Sequence, residues 1–127
     1  MRLAAAVLLT GLFAGSAHAS NVQQAIRRAF PDDQTRALCI ARYESTGGRG
    51  YNPAAQNGSN TGLFQIDQRT WDPNVNPRAL PVVGRIDWQR MHQAAYNARV
   101  ARSIYLYEKR LGRDPWGPWS TRRMCGG

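Results

Sequence analysis

The chain has 127 residues, with 17 Lys and Arg against 8 Asp and Glu, a formal net charge of +9. A chain this short holds one small domain, and so basic a domain seeks an acidic surface: cell-wall polymer, anionic membrane or nucleic acid. The basic residues are scattered rather than massed, and the sequence carries no zinc spacing, helix-turn-helix signature or RNA-binding box, which argues against a specific nucleic-acid partner.

Residues 1–19 read as an export signal. Arg2 gives the positive start, Leu3 to Ala14 the apolar run, and Ala17-His18-Ala19 the small-x-small cleavage form. The run is short for a membrane span, so no stable insertion is expected once the signal is cut; an uncleaved anchor is the alternative. The expected destination is the periplasm, the cell wall or the extracellular space, with residues 20–127 as the working domain.

Within that domain, Val22, Ala25, Ile26, Ala29 and Phe30 fall on one face of a helix over 21–30, which Pro31 breaks. Asp32-Asp33 opens a second helix, with its negative charge at the N-terminus, and this helix carries Cys39 and Glu44. Gly47-Gly48 stops it. From Gly47 to Gly62 the composition turns to Gly, Asn, Pro and Ser, and Asn57-Gly58 predicts the tight turn of a small β-hairpin. Leu63-Phe64-Gln65-Ile66 returns to the core. Residues 72–86 hold three prolines and little periodicity, which predicts a surface loop. A long helix follows from about Trp88 to Leu111, stopped by Gly112, with Ala94, Ala98, Ala101, Ile104 and Tyr105 on its buried side. Trp116-Gly117-Pro118-Trp119 leads to a short basic C-terminal segment. With no repeat and no second domain, the fold class is α+β and mostly helical.

Glu44 is one of only two glutamates. Ala41, Ile40 and Ala37 precede it by three, four and seven positions, so it continues an apolar helical stripe. A carboxyl group placed there has its pKa raised by burial, and a proton held near neutrality makes a general acid. A solvent-facing Glu at a helix end fits the same pattern.

Other chemistries lack their parts. His92 is the single histidine of the domain, which removes Ser-His-Asp and Cys-His schemes in their usual form. Cys39 and Cys125 have one possible pairing, and export favours a bridge over two free thiols. Paired cysteines leave no zinc set, there is no phosphate-binding glycine loop, and no cofactor or metal is expected. The acids, amides, tyrosines and tryptophans that remain suit carbohydrate. Gln65, polar inside an apolar tetrad, needs a partner that a ligand or the backbone could supply.

The segments Cys39-Ile-Ala-Arg-Tyr-Glu44-Ser45 and Asn57-Gly-Ser-Asn60-Thr-Gly62-Leu-Phe-Gln65-Ile-Asp67 resemble the active-site region of the lysozyme superfamily. Gly62 to Trp71 and Trp116 to Trp119 also resemble bacterial lytic transglycosylases and resuscitation-promoting factors. The similarity runs from about Gln34 to Cys125. It implies a lysozyme-like fold, with a hairpin beside a glycan-binding groove, and a monomer acting on peptidoglycan glycan strands. By position, Glu44 matches the catalytic acid. Gln65, Asp67, Asn60 and Ser45 fall in the motifs expected to bind sugar. Trp116 resembles the tryptophan that flanks the acid, with Trp119 left to core packing. The Cys39–Cys125 pair matches one bridge of animal lysozymes.

One departure bears on the reaction. Animal lysozymes carry a second catalytic Asp two residues before the glycine of the Gly-Leu-Phe-Gln string; this chain has Asn60 there. A retaining hydrolase of the usual kind needs that second carboxylate. Lytic transglycosylases use one Glu for both steps, taking a proton from the sugar's own C6 hydroxyl to close a 1,6-anhydro ring. The resemblance with Asn60 in place therefore implies a lytic transglycosylase, with a hydrolytic lysozyme or a non-catalytic wall-binding module as alternatives. Asp67 is the carboxylate available to substitute.

Overall fold

The computed structural model describes residues 21–126; the expected export signal and the expected mature start at Ser20 lie outside them. Helix α1 covers 21–29 and ends before Pro31, with Val22, Ile26 and Phe30 buried. Helix α2 runs Gln34–Thr46. Its end is set by Gly47, whose left-handed φ of 67° lets the N–H groups of Gly47 and Gly48 bond the carbonyls of Tyr43 and Arg42 at 2.9 and 3.2 Å.

The expected hairpin is present and a third strand extends it. Strands β1 (Gln56–Asn57), β2 (Asn60–Thr61) and β3 (Ile66–Asp67) form an antiparallel sheet in that order. Asn57 faces Asn60 across a two-residue turn in which Gly58 takes a φ of 59°. Asn60 in turn faces Asp67, and Thr61 faces Ile66. Helix α3 (Gln68–Trp71) follows without a break, its first turn capped by the Asp67 side chain.

The region 72–86 is not the plain loop that its prolines predict. A 3-10 turn over Pro77–Ala79 runs into helix α4 (Leu80–Val83). Proline sits in the first turn of each, where no N–H is needed, and the Asn76 side chain accepts from the N–H of Arg78. The long helix is also shorter than its pattern: Trp88–His92 forms a separate 3-10 turn, and helix α5 begins at Ala94 and ends at Arg110. Gln93 is extended between them, with φ −85° and ψ 126°. Periodicity does not register such a break, because Met91 and Tyr96 are buried on either side of it. Gly112, at φ 71°, ends the run as expected.

The core lies where α1, α2, α5 and the 63–66 segment meet. Trp116 is its centre, fully buried, with ring centroids 4.9 Å from Phe30, 4.9 Å from Tyr105 and 5.3 Å from Trp119. Such aromatic pairs contribute roughly 0.5–1.5 kcal/mol each beyond the area they bury. Asp33 departs from expectation here. It occupies the cap position of α2 but makes no side-chain cap; its carboxylate instead accepts from the indole N–H of Trp116 at 2.8 Å and the hydroxyl of Tyr105 at 3.3 Å. A buried indole donor needs a partner, and that need outweighs one cap. The C-terminal 3-10 turn, Ser120–Met124, is fastened to α2 by the Cys39–Cys125 disulfide. Formation of this bridge fits an exported chain.

Candidate active site

Ala37, Ile40 and Ala41 of α2 are fully buried, and the same face carries Glu44 to the protein's edge one turn later, half-buried. Burial pushes the Glu44 carboxyl above its ordinary pKa, because the charged form loses water. The Thr121 hydroxyl, donating to Glu44 Oε1 at 2.9 Å, pulls in the opposite direction without cancelling it.

Glu44 opens onto a groove of about 430 Å³. The helical side contributes Glu44 and Trp119, and the sheet side contributes Asn60, Gln65, Asp67 and Trp71. Asp67 is the second carboxylate of this groove, and its environment is the reverse of Glu44's. The Ser59 hydroxyl donates to Asp67 Oδ1 at 2.7 Å, the Thr70 hydroxyl to Oδ2 at 3.0 Å, and the backbone N–H of Arg69 to Oδ1 at 3.1 Å. These bonds, that from Ser59 first, hold Asp67 below its ordinary pKa against a smaller opposing effect of burial. One groove thus holds a carboxyl inclined to keep its proton and another inclined to lose it.

Backbone geometry explains how Gln65 reaches the groove. The turn from β2 to β3 places Gly62 at φ 79° and Gln65 at φ 46°, the one non-glycine residue with positive φ among those described. The Gln65 side-chain amide donates to the carbonyls of Gly62 and Ala55 at 3.0 and 3.2 Å, so the backbone supplies the partner its setting requires. Asn97 of α5, fully buried, clamps this turn from behind. It accepts from the N–H of Phe64 at 2.9 Å and donates to the carbonyls of Thr61 and Met91 at 2.9 and 3.1 Å.

Two expected site residues do not line the groove. Trp116 is wholly inside the core, and Trp119 borders the groove instead; the Trp119 indole N–H is fixed on the Phe64 carbonyl at 2.8 Å. The Gly117-Pro118 turn separates the two rings, and sequence position alone does not say which faces the acid. Ser45 is turned to the following loop, where its hydroxyl accepts from the Asn52 N–H at 3.0 Å. Thr121, Asn97, Ser59 and Thr70 were not legible as site or supporting residues. Only Asn97 left a signal, an amide within the apolar stripe of α5.

A larger cleft of about 820 Å³, between α1 and the start of α5, is lined by Arg28, Arg90 and Arg99 but by no carboxyl group. It offers no proton donor of the Glu44 type. Among the described residues no cluster of His, Cys, Asp and Glu could hold a metal ion, and no helix is long and apolar enough to cross a membrane.

Lysozyme E, lysozyme D and lysozyme B of Drosophila melanogaster are each 32% identical to this chain over 103 residues, an alignment covering 76% of the chain and 69% of each relative. The chain belongs to the lysozyme family. It is accordingly a glycosidase, and the mostly helical architecture with its small antiparallel sheet agrees with a lysozyme-like fold. No family model and no solved structure matches it. The relatives carry the lysozyme half of the resemblance; nothing among them favours the transglycosylases or resuscitation-promoting factors.

Proposed function

We propose that this protein is a hydrolytic muramidase, an exported enzyme that cleaves the β-1,4 bond between N-acetylmuramic acid and N-acetylglucosamine in peptidoglycan, with Glu44 as proton donor and Asp67 as its ionised partner. The observation that carries this reading is the pair of carboxylates in one groove with opposite protonation preferences. Environments that drive two acids apart are the usual basis for dividing acid and base roles.

Glu44 gives its proton to the glycosidic oxygen as the bond to C1 breaks. The positive charge that develops at the sugar ring is countered by the Asp67 carboxylate. A water molecule then adds at C1 and returns its proton to Glu44, which restores the acid. Asn60, Gln65 and Trp119 offer amides and an aromatic edge to the sugars, and the protein's positive charge favours approach to an anionic wall.

Asn60 is what favoured transglycosylation from sequence. Its pairing with Asp67 weakens that argument: a carboxylate absent from β2 stands directly opposite, on β3. The relatives' being lysozymes supports hydrolysis further. Single-acid transglycosylation, favoured by Asn60 alone, predicts a different product. Mass spectrometry of digested peptidoglycan separates the two. Reducing N-acetylmuramic acid ends are expected, falling on the order of 100-fold in a D67N variant. Products that are mainly 1,6-anhydro and indifferent to D67N would overturn the hydrolytic reading.

A further inference from the structure

We infer that Thr121 is a positioning residue for the acid: its hydroxyl, carried on a C-terminal turn bolted to α2, fixes the Glu44 carboxyl in the groove. This rests on the reading of Glu44 as proton donor.

The geometry is specific. Thr121 lies 77 residues from Glu44 in sequence, yet its Oγ1 is 2.9 Å from Oε1. It is the one side chain hydrogen bonded to this carboxyl among the described residues. The turn that carries it, Ser120–Met124, is held from both ends. Before it, the Trp119 N–H bonds the Trp116 carbonyl at 2.9 Å, and the Trp119 indole bonds Phe64. After it, Cys125 is joined to Cys39, five residues before Glu44 on the same helix. Threonine's β-branched side chain restricts the hydroxyl to few orientations, which suits a fixed donor. A bond from one hydroxyl also leaves the second carboxyl oxygen free to face the glycosidic oxygen.

Among the described residues no charged group contributes to the Glu44 shift, which follows from burial and the Thr121 bond. Asp67 is the other titratable residue lining the groove. On the C-terminal turn, Arg122 pairs with Asp114 at 3.5 Å and donates to the Trp119 and Gly117 carbonyls, while Arg123 is exposed. On α2, Arg42 is exposed and lies near the Tyr51 hydroxyl. The balance at Glu44 is therefore between burial, which favours the proton, and the Thr121 bond, which favours its loss. Removing the hydroxyl must move the acid's titration upward.

The test is the pH profile of kcat/KM for the wild type, T121V and T121S on purified peptidoglycan, with the Glu44 carboxyl followed by carbon NMR. The chain has two glutamates, so the resonance is readily assigned against an E44Q control. In T121V the alkaline limb and the Glu44 titration are expected to move together to higher pH, and kcat at the optimum to fall by roughly 5- to 10-fold, the equivalent of one hydrogen bond. T121S is expected to restore both. If T121V does not fold, T121A gives the same readings. A lower kcat with an unmoved limb and an unmoved Glu44 titration would overturn the inference and leave Glu44's role intact. An alkaline limb that persists in an active E44Q enzyme would instead remove the reading beneath it.

Discussion

The two carboxylates differ in what their surroundings do to the proton. Glu44 has a raised folded-state pKa, so the folded protein binds its proton more tightly than the unfolded chain does. Stability from this group is present below the unfolded pKa and is lost as pH rises through the folded one. Above that range a charged Glu44 strains the fold. E44Q is therefore expected to melt at the same temperature as the wild type or higher at pH 7, while losing about 100- to 10,000-fold in turnover. Calorimetry beside an activity assay checks both. Asp67 has the opposite sign: its depressed pKa contributes stability above the unfolded value, lost as pH falls through the folded one. Activity should thus follow a bell, with an alkaline limb above the ordinary Glu range from Glu44 and an acid limb below the ordinary Asp range from Asp67. A profile with an alkaline limb inside or below the ordinary Glu range, with no alkaline limb at all, or with the limbs in the reverse assignment would contradict this. D67N is the apt variant at that position, because asparagine can still cap α3 through its one carbonyl oxygen while losing the charge and the acceptor that Thr70 uses.

Among the elements, the turn from β2 to β3 does most to place the groove. Gly62 is required twice over, by its φ of 79° and by the close approach of Asn97 and the Met91 carbonyl to where a Cβ would sit. G62A is expected to lose roughly 2–3 kcal/mol of stability and to distort Gln65, measurable by chemical denaturation. Asn97→Leu should cost a similar amount, since it strands the Phe64 N–H and two carbonyls in the core. Sequence made part of this visible. Asn57-Gly58 announced the hairpin because a left-handed turn has few permitted residues. Ala37, Ile40 and Ala41 announced the buried face of α2 and, with it, the setting of Glu44. The third strand was too short for alternation to show. The orientation of Trp116 and Trp119 depends on Asp33 and on the Phe64 carbonyl, which are 83 and 55 residues away. Thr121 left no local trace for the same reason.

For the molecule as a whole, a single bridge joins Cys125 near the C-terminus to the helix that carries Glu44, across a separation of 86 residues. Loop-closure entropy for so long a span gives about 4–5 kcal/mol, less where the unfolded state is compact. A Cys39→Ser, Cys125→Ser double variant is expected to melt well below the wild type and, where still folded, to move its alkaline limb in the same direction as T121V. The positive charge acts at this scale too. Clearing of intact anionic wall should weaken as salt screens the long-range field, whereas cleavage of short uncharged glycan fragments should be much less sensitive.

The most direct test places E44Q beside the wild type on purified peptidoglycan and measures release of soluble sugar ends, with circular dichroism confirming equal folding. Release by the variant is expected to fall by at least about 100-fold while binding to the wall persists. Release at the wild-type rate from a folded E44Q protein would contradict a role for Glu44 as the proton donor.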